Sequence, residues 1–135
     1  MFKITYINIC FYLFINCVIF YLSLMVINND FTMLKGIFEI KDGTDLFYYL
    51  WIILFFPILD IILFSAPLYF FSTIKNKFFM AASILCIFII EYFIYVYFTS
   101  QKTFDLYGFQ KVTIGIITYV IFFYKSIFIK IKMTK

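Results

Sequence analysis

The sequence predicts an all-α integral membrane protein: four transmembrane helices in an antiparallel bundle, with both termini on the cytoplasmic side. Three observations predict it. Four apolar runs, at residues 4–27, 46–72, 78–98 and 112–129, are each about the ~20 residues needed to cross a bilayer. Hydrophobic residues make up 66% of the chain and charged residues only 13%, against roughly 25% charged in soluble domains. The lysines, finally, divide unevenly between the two sides that these runs define. At 135 residues there is room for one domain, with lipid as its solvent.

The first run follows Lys3, exceeds the roughly 7–15 residues of a signal-peptide core and has no small-residue cleavage site after it, so it reads as a retained span. At about 100° per residue Thr5, Asn8, Tyr12, Asn16 and Ser23 fall on one face. Polar side chains in lipid hydrogen-bond across helices, so Asn8, Tyr12, Asn16 and Ser23 form the expected helix-association face. Cys10 and Cys17, a heptad apart, are expected to look elsewhere and to act as small apolar side chains. Residues 28–45 form the outer loop, acidic in balance; Phe31, Leu34 and Phe38 have the spacing of a short interfacial helix, and Asp42-Gly43 is a turn signal.

The second run contains FFPILDIILFSAPLYFF at residues 55–71, which sets Asp60 between Pro57 and Pro67. Tyr48, Tyr49 and Trp51 mark its outer interface. Each proline leaves a backbone carbonyl four residues earlier without its helical donor. A polar Asp60 side chain beside that disrupted backbone has a structural reason to be there. A short basic turn at residues 73–77 makes the second and third runs antiparallel neighbours. The third run carries Ala81, Ala82 and Ser83, which permit close approach of another helix, and Glu91 on the face of Ile84, Ile87 and Tyr95. A polar linker covers residues 99–111. The fourth run carries Gly115, Thr118 and Lys125; Lys125 is near enough to the inner end to snorkel out of the bilayer, or to reach inward to Asp60.

Charge sorting orients the bundle. Lys3, Lys75, Lys77, Lys125, Lys130, Lys132 and Lys135 lie on one side without an acid. Lys35, Lys41, Lys102 and Lys111 share the other with all five loop acids. The positive-inside rule makes the first side cytoplasmic, in a bacterial inner membrane, or the matrix side of an organellar inner membrane.

The composition excludes several classes of function. Every basic residue is lysine and there is no histidine, which removes the bidentate phosphate reader and the usual general base and argues against nucleic-acid binding. The three cysteines make no disulfide framework and no metal-ligand spacing occurs, so neither a metal nor a cofactor is expected. No nucleotide-binding, zincin, nucleophile-elbow or kinase motif is present. An intramembrane aspartyl protease needs two carboxylates sharing a proton; Asp60 and Glu91 are the available pair, and their registers place them at different depths.

What remains is the intramembrane set Asp60, Glu91 and Lys125, an ion, proton or structural polar site, since charged groups at such depth face protein or water and mark functional sites by default. The four-span length and embedded carboxylate resemble the small multidrug exporters, but the first run has asparagines where they carry a glutamate, so their mechanism does not carry over. The reading preferred on sequence is a non-catalytic protein, not an enzyme. It acts by helix-to-helix association with other membrane subunits or with itself, as an accessory subunit of a membrane complex or an immunity-type protein. The alternative is an oligomeric proton- or cation-coupled transporter using the carboxylates.

Overall fold

The computed structural model describes residues 2–29, 31, 40–99 and 105–133. Among them are four helices, α1 (Tyr6–Asn28), α2 (Gly43–Thr73), α3 (Lys77–Thr99) and α4 (Leu106–Met133), each containing a stretch long and apolar enough to cross a membrane. Residues 32–39, where most of the interfacial helix is expected, lie outside the described residues.

A polar side chain opens each helix by accepting from otherwise orphaned backbone N–H groups, the physical reason Ser, Thr, Asp and Asn favour this position. Thr5 accepts from the Asn8 amide at 3.3 Å, Asp42 from Thr44 and Asp45 at 2.9 Å each, Asn76 from Phe78 at 3.0 Å, and Asp105 from Gly108 at 3.2 Å. The two aspartates also sit where the helix dipole favours negative charge. Asn29 ends α1 in the left-handed region, φ 49°, with its amide directed to Met25 and Val26, a conformation Asn tolerates better than most residues.

These caps correct two expected boundaries. Asp42-Gly43 is not a free turn but the cap and first residue of α2, and α4 begins at Leu106, so Lys111 belongs to the helix rather than to the linker. Both prolines lie inside an α2 that stays helical for 31 residues, about 46 Å by helix rise.

Consecutive helices pack in sequence, and α1 closes the ring on α4. Side-chain contacts give the directions. Tyr6, at the start of α1, meets Ser65 near the end of α2 (2.9 Å), and Tyr107, at the start of α4, donates to Asn28 at the end of α1. The N-terminal segment lies along α4: the Phe2 amide donates to the Phe122 carbonyl, Ser126 donates to the Phe2 carbonyl, and the Phe2 and Phe122 rings stack at 5.2 Å. Ile9, Tyr12 and Leu13 of α1, Phe64 and Leu68 of α2, Ile84, Ile87 and Phe88 of α3, and Tyr119 and Phe123 of α4 form the apolar core. Tyr119 meets Tyr12, Phe88 and Phe123 edge-on or tilted, the geometry that ring quadrupoles favour.

A buried ion cluster joining all four helices

The core is interrupted at one level by a polar cluster to which each helix contributes one side chain: Cys17 from α1, Asp60 from α2, Glu91 from α3 and Lys111 from α4. The Lys111 ammonium donates to Asp60 Oδ2 at 2.7 Å and to Glu91 Oε1, and the Cys17 thiol donates to the same Asp60 oxygen at 3.0 Å. Lys111, Glu91 and Asp60 are 1%, 2% and 4% exposed. The Tyr95 ring presents its face to the ammonium, 5.7 Å from ring centroid to nitrogen, a cation–π arrangement strengthened by desolvation.

Helix geometry explains the meeting. Lys111 is five residues into α4 and Glu91 eight residues before the end of α3; at 1.5 Å per residue both lie roughly 7–12 Å from the bundle end that carries the α3–α4 connection, and the contact with Lys111 sets Asp60 of α2 at the same level. The four-carbon stem of Lys111 covers the remaining depth while its head stays polar.

Two carboxylates facing one ammonium leave one formal negative charge in a low-dielectric interior. Such a site holds together because the ammonium satisfies both acids at once.

A second set of polar groups continues along the seam of α1 and α4. Tyr12 donates to the Gly115 carbonyl at 2.8 Å, and Tyr119 and Ser72 share a hydrogen bond of 2.6 Å. Gln110 donates to Ser23 at 2.9 Å, and Ser23 donates to the Phe20 carbonyl. Gly115 makes the seam close: a Cβ there meets Phe88 Cε1 at 3.0 Å and Asn16 Nδ2 at 3.4 Å. The Asn16 side chain is fully buried, and neither its Nδ2 nor its Oδ1 has a hydrogen-bond partner in the protein.

Asp60 and Glu91 are thus both in the cluster, and at one level rather than at different depths. Lys125 is not in it. Its side chain is exposed near the far end of α4, and Lys111 is the cation that meets Asp60 and Glu91. Asp60 bonds to lysine and thiol, not to the backbone disrupted by Pro57. Tyr12, Asn16 and Ser23 lie on a face turned into the bundle toward α4, whereas Asn8 bonds locally, to the Lys3 carbonyl. Cys17 does not look away from that face; it is buried in the cluster, and only Cys10 stays half-buried outside it. Among the described residues no group of three or more His, Cys, Asp or Glu is placed to hold a metal ion.

Lys111 escaped the sequence reading because hydropathy starts the fourth span after it. Two signals point to it: Asp105, three residues before Gly108, is a helix cap that moves the helix start upstream, and two embedded acids call for an embedded cation. No protein-family model matches the chain, and comparisons with curated proteins and with solved structures likewise find no match.

Proposed function

We propose that this is a non-catalytic multi-span membrane protein that works by helix-to-helix association, as an accessory subunit of a membrane complex or an immunity-type protein, its termini on the cytoplasmic or matrix side. The observation that carries this reading is a continuous outward stripe on α3. Ala82, Cys86, Ile89 and Phe93 follow helical spacing and are all exposed, with Ala81 beside them. The stripe runs into an open, mostly apolar groove of about 760 Å³ between α3 and α4, lined by Ile89, Tyr92, Phe93, Leu106, Phe109 and Val112, with Asp105 at the start of α4 also on it. Small residues permit close backbone approach of another helix, and a groove beside them accepts its larger side chains. The α1 polar face is spent inside the bundle, so the association surface moves from α1 to α3. With Lys111 set aside as a cation inside the bundle, the connecting segments on that side of the sequence count three lysines against seven at the termini and the basic turn, in keeping with that orientation by the positive-inside rule.

The test places a bulky side chain on the stripe. Ala82→Phe, in protein solubilised from its native membrane, is expected to release a copurifying subunit or a homo-oligomer that wild type retains. Oxidative cross-linking through Cys86 reports self-association separately. A wild-type protein that stays monomeric and alone under mild solubilisation refutes the reading.

A second reading, proton- or cation-coupled transport, is favoured by one observation, the unequal charge of the Asp60–Lys111–Glu91 cluster inside a membrane-spanning bundle. Its test is flux in proteoliposomes under a proton gradient. Wild type without flux for any cation refutes it.

A further inference from the structure

We propose that the four-helix cluster is a one-proton site: Asp60 and Glu91 together retain a single exchangeable proton while Lys111 supplies the only other positive charge, and the proton exchanges through a water molecule held by Asn16.

The argument starts from charge. The titratable groups facing the cluster are Tyr12, Cys17 and Tyr21 from α1, Asp60 from α2, Glu91 and Tyr95 from α3, and Lys111 from α4. With both acids ionised and the lysine charged, the buried site carries one uncompensated negative charge, and a group in that position neutralises rather than remain charged in an apolar interior. A proton on either acid closes the imbalance without moving a side chain. The ammonium is within hydrogen-bond reach of both acids, so it holds whichever one is ionised, and the Cys17 thiol adds a donor on the Asp60 side.

Asn16 supplies the second, independent observation. It precedes Cys17 on α1, and its Nδ2 lies 3.4 Å from the Cβ position of Gly115, one helical turn along α4 from Lys111. A fully buried amide with no protein partner on either polar atom is a site for water, which ordinarily satisfies such groups. Beyond it the polar seam continues through Tyr12 at the Gly115 carbonyl to Tyr119 and Ser72, the latter close to the α2–α3 turn. Lys111 closes the cluster toward the opposite end. In the exchange step the carboxylic O–H bond breaks, its proton passes to the water oxygen, and the water returns one of its own protons to the carboxylate; net charge is unchanged.

The test is infrared difference spectroscopy of the full chain in lipid. The expected result is a protonated-carboxyl C=O band at neutral pH that disappears in Asp60→Asn or in Glu91→Gln, and whose shift on transfer to deuterated water slows about tenfold in Asn16→Leu, the effect of losing a water bridge worth roughly one hydrogen bond. Asn16→Leu keeps the number of side-chain heavy atoms while removing the two unpaired polar atoms, and the smaller Asn16→Ser, which cannot overpack the site, is expected to keep most of the exchange rate. Absence of any such band at neutral pH overturns the one-proton assignment. A band whose exchange is as fast in Asn16→Leu as in wild type overturns the route. The inference deepens the transport reading and rests on the same residues, but the two fail separately: a band without flux removes transport alone, and flux without a band removes the retained proton alone.

Discussion

Replacing Lys111 by methionine keeps the length and apolar stem of the side chain and deletes only the ammonium. Two charge-assisted contacts vanish, to Asp60 and to Glu91, each worth about 1.5–3 kcal/mol. The acids then face each other without a counter-ion in a site where none of the three side chains exceeds 6% exposure. The expected destabilisation is about 3–5 kcal/mol, the range for removing one partner of a buried ion pair. Lys125→Met is the control: its head is exposed and outside the cluster, and a surface change of this kind shifts stability by about 0.5 kcal/mol or less. Equilibrium unfolding in mixed micelles, followed by circular dichroism, measures both. Lys111→Met combined with Asp60→Asn and Glu91→Gln leaves no charge to strand and is expected to lose less than Lys111→Met alone. If Lys111→Met unfolds with Lys125→Met, the cluster does not hold the bundle together and the reasoning from its geometry fails.

The glycines give a contrasting pair in the same unfolding assay. A Cβ at Gly108 meets Val96 Cγ2 at 2.9 Å and the Tyr92 ring at 3.1 Å, whereas at Gly43 nothing lies within 4 Å; Gly108→Ala is expected to cost about 1–2 kcal/mol by overpacking, and Gly43→Ala to be neutral or stabilising by up to about 1 kcal/mol. Cys17→Ala removes the thiol donor to Asp60 and is expected to cost about 1 kcal/mol more than Cys17→Ser, which keeps a donor at that position; equal losses would show that the thiol contributes packing alone. Tyr119→Phe deletes the hydroxyl shared with Ser72 and is expected to lower stability by about 1 kcal/mol, read by the same unfolding curve, with no change if that contact is immaterial.

Hydropathy and helical periodicity report how one segment relates to water and which residues share its faces. On those terms the chain itself determined the four spans, the placement of Asp60 and Glu91 within them, and a polar face on α1 that carries Tyr12, Asn16 and Ser23. They also marked the small residues of α3, though not that Ala82 would be left facing outward. Partners on other helices are a different kind of information. The contacts that make the cluster join residues 51, 20 and 43 positions apart, and they depend on the rotation and vertical register of four packed helices. A shift of one residue in a helix turns its side chains by about 100°. That is why Lys125, the lysine well inside the fourth apolar run, is the one cation the sequence offers as an alternative partner for Asp60, while Lys111, at the edge of the hydropathy window, is the one that meets it. It is also why Cys17 reads as an inert apolar residue along its own helix yet donates to a buried carboxylate once α2 is packed beside it. The sequence by itself determined that embedded acids exist; only the tertiary structure decided which cation holds them, because a charge excluded from water must find its partner among the neighbours that packing brings within reach.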